Sequence, residues 1–474
     1  MMKYLFIFFL PVAARGADYP ASLFGIRSDG ATLNTRSIQF AVDFIHDRGG
    51  GRLIFDVGRY LTGSIHLKSD VGLELKEGAV LLGSLNPFDY DKDQFTALLL
   101  ADSQRDISIS GKGIIDGQGR AVAANIVGLV HRGIIQDPLR SDRPNEANRP
   151  MLIYFRRCSG VTVKGVTLAN AASWVETYDQ CAGLAIDSIR VDSKAYWNND
   201  GIDIVDCSEV RITGCFVDAA DDGICLKSHD PAAACTDVLI RDCTIRSSAN
   251  AIKLGTVSRG GFRHIRILHN SVYDTYRSAL ALEAVDGAAI RDLVADSLTA
   301  VNTGNALFMR IGARSGSQQS SLADVSIRHL DIRIAAGKAD SGYPYEGPVE
   351  DQPRNISPVV LAGLPGAFLQ DIQLEDVTVR YPGGGKPFTV GRDPARSDSV
   401  PELPANYPEF SMFRELPAWG LYIRHARGIR IRNLRLYCAA KDYRKAIVVD
   451  DVKGATWEAT VVSEPGNTKA FGGN

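Results

Sequence analysis

Acidic side chains are concentrated at two short stretches in the middle of the chain. The first reads Asn-Asn-Asp-Gly and contains Asp200, and the second reads Asp-Asp-Gly and contains Asp221 and Asp222. Carboxylates held close together cannot all ionise without a Coulomb cost, so at least one pKa must rise. A protonated carboxyl beside an ionised one is the pair that hydrolyses glycosides. Two other interpretations stay open, because Asp also stabilises tight turns and clustered carboxylates bind calcium.

Sequence repeats predict the structure that positions these residues. The segments VRITGCFVDAADDGICLKS from Val210, VLIRDCTIRSSANAIKLGT from Val238 and IRILHNSVYDTYRSALALE from Ile265 follow one template. Their apolar residues alternate with a period of two, which indicates strands and not helices. Strands this short bury their apolar sides only when successive units stack. The sequence therefore predicts an all-β fold, a right-handed parallel β-helix.

The segments outside the repeat predict the ends and loops of this solenoid. A short helix, with Thr35 as its N-cap, is expected to cover the open N-terminal end of the stack. Insertions at about 118–150, 335–358 and 382–420 are predicted as loops beside the binding face. Residues 1–16 are typical of a signal peptide, since Lys3 precedes an apolar run shorter than the ~20 residues of a membrane span. We therefore predict a single catalytic β-helix domain over 17–474, secreted or periplasmic, without a membrane span.

Composition limits the partners and cofactors. A formal net charge of −2 argues against a nucleic-acid-binding protein, which normally carries a basic excess. The eight cysteines show no zinc-site spacing. Cys225 and Cys235 bracket a loop and could be bridged, but buried free thiols are an equal alternative. We predict no metal, no cofactor and a monomer.

Stacking the repeats in register predicts columns of side chains about 4.8 Å apart. An alignment on the Gly-Ile after each corner gives one column, formed by Asp200, Asp222, Asn250, Arg277 and Asn305. Strand alternation then buries Ile202, Ile224, Ile252, Ala279 and Leu307. The same alternation turns Asp203, Cys225, Lys253, Leu280 and Phe308 outward, followed by Lys227, Leu282 and Arg310. Basic residues near this column are expected to pair with carboxylates of an anionic sugar chain.

These motifs resemble glycoside hydrolase family 28, which contains polygalacturonases and rhamnogalacturonan hydrolases. The resemblance extends over nearly all of the chain after the signal peptide, and is most specific at NNDGIDIVDC and DDGICLKS. It implies metal-free, inverting hydrolysis, with Asp221 as general acid and with Asp200 and Asp222 positioning and activating water. The predicted substrate-binding residues are Trp174, Asn198, Asp203, Lys227, Asn250, Lys253, Arg277 and Arg310.

Two departures from the family pattern affect the predicted substrate. Where polygalacturonases carry Gly-His-Gly, the chain has Ala249-Asn250-Ala251, and where they carry Arg-Ile-Lys it has Leu280-Ala281-Leu282. We therefore expect a pectic substrate of galacturonide or rhamnogalacturonan type, with the long loops suited to attack from a chain end. Two other functions stay open. One is a calcium-dependent polysaccharide lyase with an Arg or Lys base, and the other is a non-catalytic carbohydrate-binding β-helix.

Overall fold

The chain winds into a parallel β-helix, and the fold class predicted from the repeats is confirmed. The computed structural model describes residues 16–92, 94–139, 143–314, 316, 319–337, 339–340, 357–386 and 399–471. Each coil contributes one short strand to each of three faces, and the strands of successive coils pair in register. Among the paired strands described, only the last pair, Thr460–Glu464 with Asn467–Phe471, is antiparallel.

The strands are grouped here by face. The first face contains Ala17–Pro20, Gly51–Phe55, Val71–Leu75, Ser108–Gly111, Ser159–Lys164, Ala182–Asp187, Ser208–Thr213, Cys235–Arg241, Gly261–Leu268, Arg430–Arg432 and Thr456–Glu458. The second contains Gly58–Thr62, Ala79–Gly83, Ile114–Asp116, Thr167–Ala169, Arg190–Ser193, Phe216–Ala219, Thr244–Ser247, Arg435–Ala440, Thr460–Glu464 and Asn467–Phe471. The third contains Ile65–His66, Ala97–Asp102, Met151–Arg156, Glu176–Asp179, Ile202–Val205, Ile224–Ser228, Ile252–Ser258, Val359–Ala362, Ala418–Arg427 and Lys445–Lys453. Four long strands run through more than one face: Ser271–Ala284, Ala289–Ile311, Ser321–Ile334 and Leu369–Gly383.

Helices are few and lie outside the coils. Helix α1, Thr35–Asp47, buries Ile38, Ala41, Val42 and Ile45 against the first coils, as its apolar spacing predicts. Its N-cap is Asn34 rather than Thr35. Helix α2, Gly119–His131, lies in the first predicted insertion, and 3-10 turns occupy Ala21–Phe24, Pro87–Asp89 and Glu146–Asn148. Within the described residues, neither helix has the length and apolarity to cross a membrane.

Aliphatic side chains fill the interior of the solenoid in ladders. Ile202, Ile224 and Ile252 stack in register and are fully buried, which is the predicted inward column. On the next coil, however, the inward position belongs to Leu280 and not to Ala279. A bulge between Thr275 and Ser278 adds one residue to that strand, and the simple alternation shifts by one position beyond it.

The structure bears on the predicted cysteine bridge, but describes little of the predicted signal peptide and of the 335–358 insertion. Most of the predicted signal peptide, residues 1–15, lies outside the described residues, as does much of the 335–358 insertion. All eight cysteines are buried free thiols, so Cys225 and Cys235 form no bridge. Three of them form part of a ladder: the amide of Cys158 donates to Cys181 Sγ (3.4 Å), and the amide of Cys181 donates to Cys207 Sγ (3.2 Å).

Candidate active site

The aspartates meet at the corner between the second and third faces. The amide of Gly201 donates to the carbonyl of Asp222 (2.9 Å), and the amide of Gly223 donates to the carbonyl of Asn250 (2.8 Å). A β-carbon at Gly201 would lie 2.5 Å from the carbonyl oxygen of Gly223, so only glycine permits this approach of the coils. Asp200, Asp222 and Asn250 consequently lie one above another on successive coils.

Asp222 is held as a carboxylate by its neighbours. Its Oδ1 accepts hydrogen bonds from the amide and from Nδ2 of Asn250, both at 2.9 Å, and its Oδ2 lies 3.1 Å from Lys253 Nζ. Burial alone would raise the pKa of Asp222, but Lys253, Lys227 and the Asn250 amide outweigh it and lower that pKa to about 2. The group therefore remains ionised at any pH near neutrality.

The pKa of Asp221, the adjacent residue, is shifted in the opposite direction. Burial, together with the negative charges of Asp200 and Asp222, raises the pKa of Asp221 to about 7. Arg277 and Lys253 oppose this shift without cancelling it. A protonated acid and an ionised carboxylate thus stand side by side, which is the division of roles that acid–base hydrolysis uses.

Lys227 joins Asp200 and Asp203 below this pair. Its Nζ lies 2.9 Å from Asp200 Oδ2, also contacts Asp203 Oδ1, and lies 4.5 Å from the centre of the Trp174 ring. Burial raises the pKa of both aspartates, against the opposing charge of Lys227. Ligand atoms of Asp200, Asp203 and Cys225 lie within 4.8 Å of one another. Because the lysine ammonium already occupies the position between the two carboxylates, we assign no metal there.

Glu283 is a buried carboxylate that the sequence alignment missed. It is completely buried, and its Oε2 lies 3.8 Å from Lys253 Nζ and accepts a hydrogen bond from Thr256 Oγ1 (3.2 Å). Burial, together with the charge of Asp222, raises the pKa of Glu283 to about 7. The shift by one position after the bulge places Glu283, and not Leu282, beside Arg310 on the next strand. A bulge-corrected alignment would have found it.

The segment 143–149 forms a wall on the N-terminal side of the aspartates. Arg149 is buried, and its guanidinium donates to Asn198 Oδ1 (2.8 Å) and to the carbonyl of Trp197 (2.6 Å). Arg143 lies over the Trp197 ring at 4.4 Å and also donates to Asn198 Oδ1 (3.1 Å). Asn198 is thus held between two arginines, and Trp174 packs against Phe95 nearby at 5.5 Å.

The segment 399–416 forms the opposite wall. Its apolar residues Phe410, Phe413 and Leu416 cluster with outward-facing side chains of the third face, including Phe308. Tyr407 from this segment is half-exposed, and its hydroxyl lies 3.2 Å from Lys253 Nζ. This segment lies within the 382–420 insertion that the sequence predicts as a loop beside the binding face, although the repeats do not indicate which of its residues contact the site.

Two arginines predicted to contact substrate meet this wall instead. Arg277 Nη2 lies 3.3 Å from Glu409 Oε2, and the bulge removes Arg277 from the predicted column, where Ser278 now stacks between Asn250 and Asn305. Arg310 is buried, and its guanidinium donates to the carbonyls of Gly363 (3.0 Å), Leu403 (3.3 Å) and Glu402.

Comparison with known proteins finds similarity to one family of enzymes. Residues 56–232, which include all three aspartates, match the model of the family described as glycosyl hydrolases family 28. The chain is 25% identical over 331 residues to a protein named "Probable polygalacturonase" from Vitis vinifera, a match that covers 65% of this chain. It is 27% identical over 245 residues to an "Exo-poly-alpha-D-galacturonosidase" from Dickeya chrysanthemi, covering 42% of this chain.

A solved structure shares the fold. The family 28 exopolygalacturonase of Yersinia enterocolitica superposes with a TM-score of 0.66 at 18% identity, covering 94% of this chain and 79% of that one. At that identity the likeness concerns the fold alone. The chain spans 60% of the length of the Vitis protein and 40% of that of the Dickeya protein.

Proposed function

We propose that this chain is a family 28 glycosyl hydrolase and that it degrades pectin by hydrolysing O-glycosyl bonds of an acidic pectic chain. The observation that carries the proposal is the opposite charge behaviour of two adjacent carboxyls. The pKa of Asp221 is raised to about 7, while the pKa of Asp222 is lowered to about 2. Hydrolysis of a glycoside needs one proton donor and one carboxylate base, and this pair supplies both.

The mechanism follows from these charges. Asp221 donates its proton to the glycosidic oxygen as the bond between that oxygen and the anomeric carbon breaks. Asp222, with Asp200 beside it, orients a water molecule and accepts its proton as the water oxygen bonds to the anomeric carbon. Asn250 and Lys253 fix the orientation of Asp222. Attack by water on the face opposite the leaving group inverts the anomeric configuration, as the family resemblance implies.

The predicted substrate contacts divide into three groups. Trp174 and Asn198 lie beside the aspartates, and we propose that they contact the sugar chain. Four others serve the catalytic carboxylates, since Lys227, Asn250 and Lys253 each contact Asp200 or Asp222 and Asp203 contacts Lys227. Arg277 and Arg310 contact the 399–416 wall, Arg277 through Glu409 and Arg310 through hydrogen bonds to the carbonyls of Glu402 and Leu403.

A polysaccharide lyase is the competing reaction, and the state of the lysines argues against it. A lyase base must be neutral to abstract a proton. Burial lowers the pKa of Lys227 and of Lys253, but the neighbouring carboxylates raise it by more. The pKa of each lysine therefore lies well above its ordinary value, and both ammonium groups stay protonated. Neither lysine is therefore suited to act as a base.

One experiment separates the three functions. The protein is incubated with a panel of pectic oligosaccharides, and reducing ends, ultraviolet absorbance and products are followed. A hydrolase releases reducing ends without the absorbance of an unsaturated sugar, a lyase produces that absorbance, and a binding protein does neither. Asp222→Asn should lower kcat by about 10³-fold or more, in the range reported for removal of a catalytic group. Unchanged release from every active substrate would contradict the mechanism.

The location and assembly of the protein belong to the same proposal. A polymeric pectic substrate does not cross a membrane, so we propose that residues 1–16 direct the chain to the periplasm or the exterior. We also propose that it acts as a monomer. Sequencing the N-terminus of the protein recovered outside the cytoplasm, and measuring its mass in solution by light scattering, would test both statements.

A further inference from the structure

The two lysines nearest the aspartates are already matched by protein carboxylates. Lys227 contacts Asp200 and Asp203, and Lys253 lies 3.1 Å from Asp222 Oδ2 and 3.8 Å from Glu283 Oε2. A uronate carboxylate arriving from a substrate would have to compete with these anions and would be repelled by them. The lysines therefore give an acidic sugar little net attraction.

Besides Lys253, two described cations lie within about 6 Å of the Tyr407 ring, and each faces a protein carboxylate: Arg314 pairs with Asp286 (2.9 Å), and Glu409 covers Arg277. Arg277 Nη2 lies 3.3 Å from Glu409 Oε2, and the arginine side chain is only 13% exposed. Ser411 Oγ donates to Glu409 Oε1 (3.0 Å), which fixes the carboxylate in this position. Burial lowers the pKa of Arg277, but nearby negative charge, that of Glu409 above all, raises this pKa above its ordinary value.

Tyr407 offers this side a different kind of contact. The residue is 51% exposed, and its hydroxyl and Asp222 Oδ2 are both hydrogen-bonded to the ammonium group of Lys253. An exposed aromatic ring next to a catalytic group suits the C–H surface of a sugar, and this contact requires no charge on the sugar.

We propose that Glu409 determines specificity by closing Arg277 to uronate carboxylates, so that the sugar bound between the aspartates and Tyr407 is uncharged. The inference rests on the proposed function and specifies the substrate class of the same site. The bond that is cleaved would then have a neutral sugar on the Tyr407 side. A rhamnogalacturonan chain contains such bonds, and a polygalacturonate chain does not.

Defined pectic oligosaccharides test the proposal. One set contains bonds between two uronates, and a second contains bonds between a uronate and a neutral sugar. We expect kcat/KM of the wild type to be about tenfold or more higher for the second set, because like charges brought together in a binding site are strongly disfavoured. Mass spectrometry of the products identifies the sugars on each side of the cleaved bond.

Glu409→Gln isolates the residue. The amide keeps the size of the side chain and can still accept from Ser411, but it frees the charge of Arg277. We expect kcat/KM on the all-uronate bond to rise about fivefold or more relative to the mixed bond. Glu77→Gln, the same change at an exposed site remote from the aspartates, should leave the ratio unchanged.

The possible outcomes are distinguishable. A wild type that prefers the all-uronate bond overturns the inference, whatever the variant does. A Glu409→Gln protein that unfolds at the wild-type temperature and keeps the wild-type ratio overturns the role of Glu409; if that variant is unstable, Glu409→Ala is tested in the same way. A wild type that cleaves neither set contradicts the proposed function itself.

Discussion

Replacing Lys227 by Met is expected to destabilise the protein by leaving buried carboxylates without their cation. The lysine side chain is 9% exposed, while those of Asp200 and Asp203 are 7% and 0% exposed. Removing one partner of a buried ion pair costs about 3–5 kcal/mol. With an unfolding entropy of ~2.1 cal/mol/K per residue for a chain of this length, Tm should fall by about 3–5 °C.

The loss should also depend on pH. Burial already raises the pKa of Asp200 and of Asp203 in the folded protein, and without Lys227 both pKa values rise further. An acid with a raised folded-state pKa keeps its contribution to stability below its unfolded pKa and loses it as the pH rises. Differential scanning calorimetry should therefore show a larger loss of Tm for Lys227→Met at about pH 8 than at about pH 5.

A matched lysine provides the control. Lys164 Nζ lies 2.7 Å from Asp187 Oδ2, but the two side chains are 62% and 34% exposed. Lys164→Met should cost less than about 1 kcal/mol, because solvent screens exposed ion pairs. Equal losses for the two variants, or a loss at Lys227 that does not change with pH, would refute the reasoning.

Three further predictions concern individual side chains. Activity should fall about tenfold per pH unit above pH 7, as Asp221 loses its proton, and a profile that stays flat to about pH 9 would contradict the assignment of this acid. Burial raises the pKa of Glu176 to about 8 from 4.5, so the protein should lose stability between these values; Glu176→Gln should flatten the plot of Tm against pH, and an unchanged slope would exclude this group. Tyr407→Ala should raise KM about tenfold with a smaller effect on kcat, and an unchanged KM would argue against sugar contact.

The sequence predicted the fold and the aspartates because both depend on local patterns. Period-two alternation and the repeat length are sufficient to place Asp200 and Asp222 on adjacent coils. The two-residue offset from Val210 to Ile212 on one coil recurs as Val238 to Ile240 on the next, and the structure pairs these residues directly.

The rest of the site depends on irregularities that a template cannot contain. The bulge before Ser278 moves Arg277 out of its predicted column. It also turns Glu283 away from the solenoid interior, to the position beside Arg310 on the third face. The contacts of Tyr407 and Glu409 join residues more than a hundred positions apart, through an insertion with no repeat pattern. The sequence also suggested Arg310 as an anion contact. In the structure, backbone carbonyls accept the hydrogen bonds of its guanidinium, and a sequence pattern cannot indicate such contacts.

The 399–416 wall is fastened to the third face by an apolar cluster around Phe410 and Phe413 and by the hydrogen bonds of Arg310 to the carbonyls of Glu402 and Leu403. The aspartates, in contrast, are fixed by the hydrogen-bonded corners of the coils themselves. In the proposed function, substrate preference and bond cleavage therefore rest on structurally separate parts of the molecule. A gene library that randomises the wall and spares its apolar anchors should yield enzymes with new sugar preferences while the acid and base remain intact. If the proposed function holds, such a solenoid is a starting point for directed evolution of pectin-processing catalysts.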